Sequence, residues 1–194
     1  MGYVGTVAIV DFAHSGTTML AGICEILGVP MVGDYYKPMK WEDREIVLSL
    51  QDEDTFAALV KERNSTYEKW GFKYPGAWKF MHILKRHLAA PVYLAIFKDP
   101  VTVTRRRFHT VTIDKLCNTL VQMKAALDGM KATGEPIHIL SYHQATVVPL
   151  EFVTRVINII EVYPTNGQID CAVQFITPRW GGSRKKYPSV EKWI

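Results

Sequence analysis

The chain has 194 residues, 48% of them hydrophobic and 22% charged, with a formal net charge of +4 and an isoelectric point near 8.9. This balance excludes a disordered chain and fits one globular domain, 1–194, with a sizeable core, while the charge is too mild to mark a nucleic-acid binder. No apolar run approaches the roughly 20 residues that span a bilayer, and the first strand begins too early for a signal peptide, so a soluble, cytoplasmic protein with no membrane partner is expected. Cys24, Cys117 and Cys171 are odd in number and far apart, which points to neither a disulfide nor a structural metal.

Val4 to Val10, Val-Gly-Thr-Val-Ala-Ile-Val, reads as a buried strand that enters the tight loop Asp11-Phe12-Ala13-His14-Ser15-Gly16-Thr17-Thr18. An apolar-periodic helix follows at once, with Leu20, Ile23, Cys24 and Leu27 on one face, and Gly28 and Pro30 end it. A helical pair is predicted over 41–50 and 53–63, a short strand at Phe72–Tyr74 closed by Pro75-Gly76, and a helix from Trp78 to Leu88. Pro91 to Phe97 is a second unmistakable strand; Asp99 as N-cap and Pro100 as first helical residue then open one long helix reaching Lys131. Gly134-Glu135-Pro136 breaks it, Ile137–Ser141 is a further strand, and helices over 150–162 and 169–176 follow. Alternating helices and strands predict an α/β, three-layer fold, with a mostly parallel sheet of about four to five strands covered by helices on both faces.

A strand that turns into a helix aims unpaired backbone N–H groups and the positive end of the helix dipole at one point, so residues 14–18 form a cradle for phosphate or sulfate. The nucleoside-triphosphatase loop G-x-x-x-x-G-K-[ST] is excluded by Asp11 in place of its first Gly and by Thr17 in place of its Lys. His14-Ser15-Gly16-Thr17-Thr18 instead resembles the 5′-phosphosulfate loop of the sulfotransferase family, a basic residue followed by Ser-Gly-Thr-[Thr/Ser].

Four further segments carry the same resemblance. Val92 to Pro100, with Lys98 and with Arg106 eight positions later, is similar to the family's 3′-phosphate element, with Lys98 for its Arg and Arg106 for its Ser. Both substitutes donate to phosphate; alternatively Arg105, Arg106 and Arg107 form a solvated helix face. Ile139 to His143 followed by Pro149 resembles the strand whose Tyr lies against adenine, which makes Tyr142 the adenine contact or else a Tyr capping the core edge. Trp70-Gly71-Phe72-Lys73-Tyr74-Pro75 and Trp41-Glu42-Asp43-Arg44-Glu45-Ile46 resemble segments of bacterial members, so the likeness runs in order from about Val7 to Arg179.

The resemblance implies transfer of a sulfuryl group from 3′-phosphoadenosine 5′-phosphosulfate (PAPS) to a hydroxyl or amine of a small-molecule or glycan acceptor. The product is 3′,5′-adenosine bisphosphate (PAP), and no metal is required. The amides of Ser15, Gly16, Thr17 and Thr18, with His14 and Lys73, would stabilise charge on the leaving oxygen. An imidazole at position 14 would let donor affinity fall as pH climbs above neutrality. Glu42 is the first candidate for the general base, Asp43 the second and His82 the third, although carboxylates at 42 and 43 also suit a helix amino terminus. Asp11 is out of place beside an anion site and is expected to point away from it. The basic tail, Arg179 with Arg184, Lys185 and Lys186, either folds over the nucleotide or is a solvated end. Tyr35, Tyr36, Trp41, Trp70 and Trp78 form either an aromatic acceptor wall or core. The competing classes are an ATP- and Mg²⁺-dependent small-molecule kinase and an inactive PAP-binding protein.

Overall fold

The computed structural model describes residues 5–32 and 41–176. Four parallel strands, β1 (Gly5–Val10), β2 (Lys69–Tyr74), β3 (Pro91–Phe97) and β4 (Ile137–Ser141), lie in the order β2-β1-β3-β4. β1 is buried along its whole length because it is central and covered on both faces, as its unbroken apolar run requires. Single bridges, Met31 to Gly71 and Glu42 to Lys73, extend the outer edge of β2 without forming a fifth strand.

The two faces of β1 feed two cores. Val7 and Ile9 pack with α1 (Thr17–Ile26), α8 (Pro149–Ile160) and α9 (Asn166–Ile176). Ala8 and Val10 pack with α2 (Arg44–Ser49), α3 (Glu53–Thr66), α4 (Met81–His87), α5 (Pro100–Phe108) and α6 (Ile113–Lys131). Trp41 and Trp70 are core residues, 3% and 0% exposed. Trp41 meets Phe175 edge-on, and Trp70 donates from Nε1 to Asn64 at 2.9 Å. Among the described residues no helix is long and apolar enough to cross a membrane.

The long helix expected up to Lys131 is two. Asp99 caps α5 by accepting from the Thr102 amide at 2.8 Å, but His109 turns left-handed at φ 62° and its amide bonds back to the Arg105 carbonyl. Thr110-Val111-Thr112 is a β-branched run with weak helix preference, and the Thr112 side chain caps α6 instead. A short helix, α7 (Tyr142–Val147), also stands where none was expected, capped by Ser141. The segment after Pro75-Gly76 starts as a 3₁₀ helix, Ala77–Phe80, before α4.

Because β2 lies on one side of β1 and β3 on the other, the chain changes direction across the sheet at β1. The loops leaving the carboxyl ends of β1 and β3 part there, the switch point at which an open parallel sheet usually has its ligand crevice.

Candidate functional site

The loop after β1 forms the floor of that crevice. His14 and Gly16 both have positive φ, 72° and 119°, an alternation that turns successive amides inward as an anion nest. Gly16 occupies the N-cap of α1 with no side-chain cap. The first amides to return to its carbonyl are those of Met19 and Leu20, and the amides at the start of α1, including those of Thr17 and Thr18, have no intrahelical acceptor. The buried Ser15 hydroxyl donates to the Phe12 carbonyl at 3.0 Å, so its side chain is committed to shaping the loop.

Lys98 follows β3, and its ammonium lies 4.0 Å from the centre of the Tyr142 ring. That ring in turn covers Gly16: a Cβ built there would stand 2.5 Å from Tyr142 Cδ2. The cradle, Lys98 and Tyr142 therefore adjoin at the carboxyl ends of β1, β3 and β4. Arg106 belongs to the same cluster. Burial and then the charge of Arg106 lower the basicity of Lys98, with Asp99 opposing. Burial, then Arg106 and Arg107, hold the His14 imidazole below its ordinary value. Cations that repel one another around a nest of amides are a site made for a multiply charged anion. The free loop thus disfavours the imidazolium form of His14.

On the other flank, Lys73 of β2 is 2% exposed and donates to Glu42 Oε1 at 3.1 Å and to Thr18 Oγ1 at 3.4 Å. Burial lowers its basicity and Glu42 restores part of it. The backbone bridge between Glu42 and Lys73 fixes this pair at the edge of the sheet. A buried ammonium and a half-buried carboxylate thus meet beside the first turn of α1, an arrangement the sequence spacing did not disclose.

Asp43 and His82 have other employment. Asp43 is buried, caps α2 by accepting from the Ile46 amide at 3.0 Å, and pairs with Arg63, which also reaches Glu45 at 2.9 Å and lies over the Trp70 ring. It is a structural carboxylate. Asp43→Asn keeps the cap but not the charge, and we expect it to cost about 1–3 kcal/mol of stability in urea denaturation while turnover per folded molecule stays unchanged; lost turnover with full stability would return Asp43 to the site. His82 is exposed on α4 and lines a groove of about 820 Å³ with Trp78, Lys79, Lys85 and Arg86, to which no cradle residue contributes. Tyr35, Tyr36, Arg179, Arg184, Lys185 and Lys186 lie outside the described residues. Among the described residues no group of three His, Cys, Asp or Glu side chains is placed to hold a metal ion.

No family model and no curated protein matches the chain. Solved structures do. The chain is similar to the sulfotransferase domain of the Synechococcus PCC 7002 olefin synthase at 12% identity, over 95% of this chain and 80% of that one, with a TM-score of 0.60. It is similar to mouse sulfotransferase SULT7A1, crystallised with PAP, at 11% identity over 89% of this chain and TM-score 0.56. It is also similar to retinol dehydratase, crystallised with androsterone and PAP, at 13% identity over 88% and TM-score 0.53. It spans 64% of the length of each of the latter two. At such identities the likeness shows the fold: the chain has the sulfotransferase fold, a P-loop-like parallel sheet flanked by helices.

Proposed function

We propose that this protein is a sulfotransferase that moves a sulfuryl group from PAPS to a hydroxyl or amine of a small-molecule or glycan acceptor. One observation carries the reading. The nest at residues 14–18 and the cations Lys98 and Arg106 adjoin at the carboxyl ends of β1 and β3, joined by Tyr142, which lies against both Gly16 and Lys98. Two separated anionic groups with a planar ring between or beside them suit that layout. The PAP complexes of two structures with the same fold support it.

In this reading the amides of Ser15, Gly16, Thr17 and Thr18 bind the 5′-phosphosulfate, Lys98 and Arg106 hold the 3′-phosphate, and Tyr142 lies against adenine. Lys73, fixed between Thr18 and Glu42, places a positive charge where the bridging oxygen becomes negative; His14 adds a hydrogen bond and, when protonated, a second charge. Glu42 takes the proton of the acceptor. Its ion pair with Lys73 keeps the carboxylate beside the cradle. That restraint is also what favours the second reading, an inactive PAP-binding protein.

Titration calorimetry with PAP and with ATP, each with and without Mg²⁺, separates the classes. We expect PAP to bind at least tenfold more tightly than ATP and without regard to Mg²⁺; a preference for ATP with Mg²⁺ would make the protein a kinase. Transfer of labelled sulfuryl from PAPS to a panel of alcohols and amines then divides enzyme from inactive binder.

A further inference from the structure

Asp11 is fully buried directly before the cradle, where β1 ends. The pairing of β1 with β3 runs as far as Ile9 with Leu94. Beyond it the carboxylate takes over from the departing backbone: Oδ2 accepts from the Ile96 amide at 2.8 Å and Oδ1 from the Phe12 amide at 2.7 Å. The Ser15 hydroxyl is its third neighbour. Asp11 therefore ties the cradle loop to the strand that delivers Lys98. Burial pushes its carboxyl up to about 7 against the pull of the Phe12 and Ile96 amides. The charged and titratable groups on the surrounding elements are His14 on the loop, Lys73 on β2, Lys98 beyond β3 and Arg106 on α5, and none of them figures among the influences on Asp11.

We propose that Asp11 is a positioning residue that takes up a proton when an oxyanion enters the cradle, so that anion binding is linked to pH through the floor of the loop. The inference rests on the reading of residues 14–18 as an anion cradle. An ionised Asp11 and a bound dianion, with only Ser15 and its neighbours between them, repel across a low-dielectric layer, and one proton from solvent removes that repulsion. The bonds for the neutral acid are already laid out. The new O–H donates to Ser15 Oγ, whose own hydrogen is committed to the Phe12 carbonyl at 3.0 Å. Because the protonated form binds better, affinity is full below about pH 7 and declines by up to about tenfold per pH unit above it.

The test is calorimetry at pH 7 in two buffers of different ionisation enthalpy, using PAP and inorganic pyrophosphate on the wild type and on Asp11→Asn. Wild type should take up about half a proton more than the variant, and its affinity should fall at least fivefold between pH 7 and 8.5 relative to that of the variant. Ligand phosphates titrate near about 6 and do so alike in both proteins, so the difference belongs to Asp11. His14→Gln should leave it intact. Equal proton uptake by wild type and Asp11→Asn, or an excess that disappears in His14→Gln, overturns the proposal. Should Asp11→Asn not fold, ¹³C NMR of the aspartate carboxyls of the wild type decides: a carboxyl titrating near pH 7 and moving upward with pyrophosphate supports it, and the absence of one sinks it. If pyrophosphate binds with proton uptake while PAP does not bind, the Asp11 linkage stands and the nucleotide reading falls; if neither binds, both fall.

Discussion

Gly16→Ala will weaken PAP binding by at least 100-fold and lower the melting temperature. Two penalties coincide at this position. The backbone sits at φ 119°, where a side chain is strained by about 1–3 kcal/mol. The added methyl would also stand 2.5 Å from Tyr142 Cδ2 and 3.1 Å from Cε2. The ring cannot retreat freely, because Tyr142 opens α7 and carries the Lys98 ammonium on its face. Relief of the clash must therefore displace the loop, whose amides then lose their common focus, or Tyr142, which unseats Lys98. Adding Tyr142→Ala to Gly16→Ala isolates the two costs: it should recover stability by removing the clash while leaving binding poor. Undiminished PAP affinity in the single variant would mean that the nest is not the anion site.

The cradle was legible in the sequence because it is local. A buried strand, a Gly at the helix start and hydroxyls in the first turn specify the turn with few outside partners, and the strand, cap and Pro at 97–100 did the same for the position of Lys98. What escaped was set by partners distant in the chain. Asp43 reads as a carboxylate near a candidate active site until Arg63, twenty residues on, claims it. Asp11 looks hostile to an anion until the Ile96 amide turns it inward. The break at His109 was hidden by the good cap at Asp99 and by the apolar periodicity of α6, which resumes after a β-branched stretch too short to read as a boundary. Lys73 appeared as one residue of a short motif, whereas its role in the proposed chemistry depends on β2 lying next to β1 and on the outer bridge that brings Glu42 alongside.

Lys73→Met is expected to reduce the rate of sulfuryl transfer by about 10²–10³-fold with much less effect on PAP affinity, since removal of one preorganised donor from developing negative charge commonly costs that much. Methionine fills most of the space of the buried stem, so the change is chiefly one of charge. Glu42→Gln should cost at least about 10²-fold, and the two losses should not add, because each side chain is the other's ion-pair partner at 3.1 Å. The measurement is single-turnover transfer of labelled sulfuryl to an acceptor that the wild type uses, over a range of pH. A scaffold role predicts a different pattern: both variants would melt earlier while the folded fraction kept its transfer rate and pH profile. A catalytic pair predicts the converse: both variants keep the wild-type melting temperature while the folded fraction loses its transfer rate.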